Sequence, residues 1–173
     1  MQTAQQLSDR AGELAGVQLF SGLDGPRLAA IAGLCKPLTM REGDYVIREG
    51  EQADSFYILV DGTVAVHKIL RLPQFKPLEG EQRVLVRLSG ASKPVLGETA
   101  LVGEAQRRSS VVCTAECRLY RVDAAQMRAL IEGDPQTGSQ IYSHLSSMLY
   151  QRLEQANMDV VKLSAALVFA LEE

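Results

Sequence analysis

Gly97-Glu98-Thr99-Ala100-Leu101, followed after the spacer Val102 to Gln106 by Arg107-Arg108-Ser109-Ser110-Val111, holds most of the chemistry legible in this chain. A glycine lets the backbone approach a ligand, and a carboxylate beside it can accept two hydroxyl hydrogen bonds. A turn opening at Ala100 can point backbone N–H groups at an anion. An arginine ten positions after the glycine adds a planar fork matched to phosphate oxygens. Together these residues spell a sugar-plus-phosphate site within one short segment. The arginine is doubled, and side chains on a strand alternate faces, so only one of the two can point inward. Arg107 shares parity with Ser109, Val111 and Cys113, a small and apolar set suited to an interior, whereas Arg108 shares parity with Ser110.

Upstream, Gly43-Asp44-Tyr45-Val46-Ile47-Arg48-Glu49-Gly50 leads through Ala53-Asp54-Ser55 into Phe56-Tyr57-Ile58-Leu59-Val60-Asp61-Gly62-Thr63-Val64-Ala65-Val66. From Pro37 to Asp123 the pattern is one of short β-branched runs separated by glycine and acidic turns. The runs are Tyr45 to Ile47, Phe56 to Val60, Val64 to Val66, Val84 to Leu88, Ser110 to Cys113 and Leu119 to Val122. Such spacing predicts an antiparallel double-sheet roll rather than a parallel sheet. Helical patterns flank it. Ala4 to Leu14 is rich in helix formers, Pro26 opens a turn followed by Leu28, Ile31 and Leu34, and Ala124 to Glu132 ends at Gly133. Asp134-Pro135 then starts a long helix.

The two motif sets, in this order, resemble the cyclic-nucleotide-binding domain family, whose cassette reads Gly-Glu-x-Ala-Leu, a spacer, then Arg with small residues. The resemblance runs from about Leu19 to Asp123 and continues more loosely into the C-terminal helix. It implies an α+β fold, an antiparallel, jelly-roll-like β-roll flanked by N-terminal helices and a long C-terminal helix. The expected division is N-terminal helices over 1–36, the roll over 37–123 and C-terminal helices over 124–173.

The resemblance also implies a ligand, cAMP or cGMP, and no other cofactor. Arg107, whose spacing from Gly97 and to Asp123 is similar to that of kinase-type members, is expected to hold the exocyclic phosphate. Glu98 is expected to take the ribose 2′-hydroxyl, with the N–H groups of Gly97 and Ala100 lining the pocket and Thr99, Arg108 and Ser109 completing it. Asn157 falls where related regulators place a polar residue that reaches the purine edge, often from the partner subunit. Two departures stand out. The approach to the cassette is Ser89-Gly90-Ala91-Ser92-Lys93-Pro94-Val95-Leu96 instead of Gly-Asp-x-Phe, and Arg108 replaces the Thr, Ser or Ala that accompanies base preference in the family. The choice between cAMP and cGMP is therefore open, and so are a cyclic dinucleotide ligand and a scaffold that keeps the fold without binding a mononucleotide.

The rest of the sequence bounds the function. A formal charge of −3, from 18 basic and 21 acidic residues, gives no sequence-wide attraction to nucleic acid or anionic membrane. No apolar run is long enough to span a bilayer, and the first residues lack a basic region followed by an apolar core, so the expected location is the cytoplasm. Neither His67 nor His144 stands near a plausible nucleophile or metal cluster, so no enzyme activity and no metal are expected. Cys35, Cys113 and Cys117 are expected as reduced, structural thiols. The segment Lys68 to Arg83, broken by Pro73, Pro77 and Gly80, is expected as an elongated hairpin, with a partner-binding flap as the alternative.

Along the long helix, Leu149, Leu153, Ala156, Val160, Leu163, Leu167 and Ala170 alternate four and three positions apart. This is a coiled-coil seam, and it predicts a parallel homodimer. The sequence ends at Glu173 before a recognition helix could fit, so no DNA-binding module is expected within it. The expected role is that of a sensor relaying ligand binding through the long helix to a protein partner the sequence does not name.

Overall fold

A computed structural model describes residues 4–69, 82–103 and 106–171. Helix α1 (Ala4–Leu14) and helix α2 (Gly25–Leu34) precede the strands, joined through a short 3-10 turn at Gln18–Phe20. Asp24 starts α2 by accepting the backbone N–H of Arg27, with Pro26 in the first turn, where its missing N–H costs nothing. Arg10 fastens the two helices together. It is buried and donates to the carbonyls of Ala32 at 3.0 Å and Cys35 at 2.7 Å.

Eight strands follow among the described residues: β1 (Lys36–Met40), β2 (Tyr45–Ile47), β3 (Ser55–Asp61), β4 (Thr63–Ile69), β5 (Gln82–Ser89), β6 (Val95–Leu96), β7 (Ser110–Cys113) and β8 (Cys117–Asp123). They form two four-stranded antiparallel sheets, ordered β1-β8-β3-β6 and β2-β7-β4-β5. This is the expected double-sheet roll. Alternation along β3 and β8 builds two cores at once. Leu59, Cys117 and Leu119 point between the sheets to meet Val46, Val64, Leu96 and Val111. Phe56, Ile58, Tyr120 and Val122 point outward to meet Phe20, Ile31, Met127, Ile141 and Leu145 of the helical layer. A sheet covered on both faces explains why Phe56 to Val60 is apolar without a break.

β2 and β7 have the bounds of the sequence-derived runs, the other four runs are extended by one to several residues, and β1 and β6 are not among them. β1 is an edge strand containing Pro37 and largely exposed, while β6 is two residues long and exists through its pairing with Tyr57 and Ile58. The hairpin segment Lys68 to Arg83 lies largely outside the described residues, β4 ending at Ile69 and β5 beginning at Gln82. Cys113 and Cys117 flank the turn between β7 and β8 as buried free thiols, and Cys35 is a third. Burial pushes the Cys35 and Cys113 thiols up to about 12, which favours the neutral thiol at neutral pH.

Helix α3 (Ala124–Gly133) begins at Asp123, whose side chain accepts the N–H of Gln126. Helix α4 (Pro135–Leu171) runs for 37 residues. Asp134 organises its start. One carboxylate oxygen accepts the N–H groups of Gln136 and Thr137, and the other accepts the Thr137 hydroxyl at 2.6 Å and Arg27 Nε at 2.9 Å. α4 is thereby tied to α2. Its buried residues stop at Met148, and every described residue from Tyr150 onward is exposed.

Candidate functional site

Between β6 and β7 the chain turns sharply. Gly97 adopts φ +71°, a left-handed conformation that strains any residue with a Cβ, and opens a 3-10 turn over Glu98–Leu101. A Cβ at this position would also stand 2.5 Å from Arg107 Nη1 and 2.9 Å from Ile47 Cδ1, so the glycine is required twice over. Ala100 N–H donates to the Gly97 carbonyl at 3.1 Å. That N–H, expected from the sequence at the pocket wall, is occupied in closing the turn. The Arg128 guanidinium of α3 donates to the Ala100 carbonyl at 2.7 Å and ties the far end of the turn to the helical layer.

Arg107 is held by its own backbone. Its N–H donates to Glu51 O at 2.8 Å and its carbonyl accepts Gly50 N–H at 2.9 Å, next to a bridge between Gln52 and Gln106. The side chain, 8% exposed, turns inward from the loop that precedes β7, while Arg108 is exposed. Nη2 donates to the Ser55 carbonyl and, at 3.5 Å, lies near its hydroxyl, while Nη1 donates to the Gly97 carbonyl at 3.3 Å. Burial lowers the proton affinity of this guanidinium, against the pull of Tyr57, Asp54 and Glu51. Among the described residues, its side-chain hydrogen bonds go to neutral acceptors only.

Glu98 is 2% exposed, and its carboxylate meets Nη1 of Arg152, which reaches down from α4. Nη2 of the same guanidinium donates to the Val95 carbonyl at 3.3 Å. Arg152 and Arg128 were both missed in the sequence. Arg152 directly precedes the seam residue Leu153, and only the fold-back of α4 shows what it reaches.

The structure thus brings together Gly97, Glu98, Ala100 and Arg107 around one turn. Thr99 and Arg108 are exposed and Ser109 is half-buried. Asn157 is exposed on α4, five positions beyond Arg152, which turns it roughly 140° around the helix from the side facing Glu98. Within one chain it stands apart from the cassette.

Two antiparallel sheets thus carry a buried glutamate on a glycine-opened turn with a buried arginine packed beside it. The family described as Cyclic nucleotide-binding domain matches residues 37–134, more than half of the sequence, and the chain belongs to it. The family is a binding and regulatory module rather than a catalytic one. The chain is 27% identical over 150 residues to a CRP-like cAMP-activated global transcriptional regulator of Mycobacterium tuberculosis, covering 87% of this chain and 61% of that protein. It therefore spans about three fifths of that relative's length. In fold it is similar to the Thermus thermophilus catabolite activator protein, with a TM-score of 0.69 at 22% identity over 85% of this chain and 63% of that one. It is also similar to a cyclic nucleotide-binding domain from Methylobacillus flagellatus, with a TM-score of 0.70 at 14% identity over 87% and 80% of the two chains. Among the described residues no helix is long and apolar enough to cross a membrane.

Proposed function

We propose that this chain is a sensor for a cyclic mononucleotide, cAMP or cGMP, and that it transmits occupancy through α4. The observation that carries this reading is Arg107, a buried cation whose hydrogen bonds among the described residues go only to carbonyls and a hydroxyl. Buried charges are ordinarily paired, so a site of this kind favours an anion. In this reading Arg107 takes the exocyclic phosphate, with Thr99, Arg108 and Ser109 at its margin, and Glu98, adjacent to Gly97, takes the ribose 2′-hydroxyl. A hydroxyl arriving at Glu98 shares the carboxylate with Arg152. Ligand binding and the position of α4 are therefore coupled by one ion pair, and the coupling acts in both directions.

The reader of that movement is a second copy of the chain. Val160, Leu163 and Leu167 are each more than half exposed and repeat at seam spacing, and pairing of two α4 helices in parallel would cover them. Asn157, turned away from its own cassette, then serves the purine held by its partner.

Calorimetric titration of the chain with cAMP and with cGMP tests the reading. Saturable binding of at least one, weakened about tenfold or more when the ligand lacks its 2′-hydroxyl, is expected. Failure of both nucleotides to bind leaves a scaffold that keeps the fold without the ligand.

A further inference from the structure

On the flank of α4, beside the segment that replaces the usual approach to the cassette, lies a cavity of about 280 Å³. Val95 and Met148 contribute apolar surface, Gln18 and Gln151 contribute amides, Lys93 contributes an ammonium, and Arg152 contributes the Nη2 side of a guanidinium whose Nη1 is paired with Glu98. No acidic side chain lines it among the described residues. The volume is at the low end of what encloses a small organic molecule. Apolar surface with amides and two cations matches an organic anion, whose body would cover the one while its charge meets the other.

Lys93 is placed there at a cost. It is the only non-glycine residue with positive φ among those described, at +46°, and it precedes Pro94, which itself disfavours helical backbone before it. Its Nζ donates to the Glu13 carbonyl at 2.7 Å, which leaves the ammonium two further donors. Across the cavity, Arg152 Nη2 rests on the neutral Val95 carbonyl at 3.3 Å, a contact that a carboxylate would replace with a stronger one.

We propose that this cavity is a second ligand site, accepting a small organic carboxylate between Lys93 and Arg152. It shares Arg152 with Glu98 of the cassette turn but does not depend on the identity of the ligand held by Arg107.

The test is a titration of the full chain, labelled at methionine methyls and backbone amides, with benzoate and separately with benzamide, its neutral isostere. Benzoate is expected to shift the Met148 methyl and the Lys93 and Gln151 amides along saturating curves, with benzamide responses at least ~5-fold smaller. Gln151→Trp, which fills the cavity from an exposed helix position, is expected to remove the benzoate shifts at an unchanged melting temperature. Lys93→Met, which keeps the apolar stem and deletes the charge, is expected to weaken benzoate about tenfold. Equal responses to both probes, no saturating response to benzoate, or a benzoate response that survives both substitutions would overturn the site. Benzoate binding in a chain that binds no cyclic nucleotide would uphold this site and refute the cassette reading alone.

Discussion

Arg152 of α4 and Glu98 of the cassette turn, 54 positions apart, form an ion pair in which the carboxylate is buried and the guanidinium is half exposed. The pair joins the long helix to the residue that the proposed ribose would contact, so its energetics and its role in signalling are inseparable. Removing Arg152 leaves a buried carboxylate without its cation, and water reaching the exposed side softens the loss. Arg152→Ala is expected to cost on the order of 1–2 kcal/mol. Arg152→Lys should recover part of it, because a point charge can meet Glu98 but cannot also hold the Val95 carbonyl in a fork. Thermal unfolding of the three proteins checks the order, and a melting temperature unmoved by Arg152→Ala would show that the pair contributes nothing.

Gly97→Ala tests the turn itself. The left-handed backbone and the approach of a new Cβ to Arg107 Nη1 both oppose the substitution. A loss of roughly 1–2 kcal/mol in stability is expected from the backbone alone. Nucleotide affinity is expected to fall further than stability does, because Arg107 is displaced. Calorimetry and melting curves on one preparation separate the two effects, and unchanged affinity would mean that Arg107 is not seated by this turn.

The link between α2 and α4 should respond to acid. Hydrogen bonds from Thr137 and then Arg27 hold the Asp134 carboxyl well below the usual carboxylate range. A depressed folded value means that the stabilisation is fully present above the ordinary value of about 3.9 and is lost as pH falls through the folded one. The difference in melting temperature between the wild type and Asp134→Asn should therefore be constant near neutrality and shrink as the pH is lowered below about 4. A difference independent of pH would locate the effect in helix capping rather than in the charge.

The seam of α4 predicts an oligomer. Leu163 is 70% exposed in the single chain, too apolar a position to leave in water along a whole helix face. Sedimentation is expected to give a dimer, with Leu163→Lys producing a folded monomer. A wild-type monomer at tens of micromolar would remove the parallel pairing.

Much of this arrangement was readable from local pattern. Tyr45 to Ile47 and Ser110 to Cys113 are strands with the expected bounds because their β-branched residues lie between turns and face a core. Arg107 is the inward member of the arginine pair, but both residues precede β7, so backbone hydrogen bonds to Gly50 and Glu51 rather than strand alternation hold it there. Features that depend on distant parts of the chain were not readable. β6 is set by pairing across the sheet with β3, and β1 carries a proline and few buried residues because it is an edge. Arg128 and Arg152 act on backbone and side chains 28 and 54 positions away, and no spacing rule connects those segments before α3 and α4 fold back. Ala100 N–H illustrates the opposite failure. The turn was anticipated, but its internal hydrogen bond to Gly97 was not counted against the donors that it offers.

The central claim is that a buried arginine without an anionic hydrogen-bond partner awaits a phosphate, and paired substitutions of the two adjacent arginines test it most directly. Calorimetric titration with the nucleotide that binds the wild type should show Arg107→Ala weakened ~30-fold or more, the loss of a charge-assisted contact of about 2–3 kcal/mol. Arg107→Lys should do little better, and Arg108→Ala, which removes only an exposed side chain at the margin of the site, should bind within about twofold of the wild type. Circular dichroism confirms that each variant is folded. Wild-type affinity in folded Arg107→Ala, with the loss appearing in Arg108→Ala instead, would contradict the account.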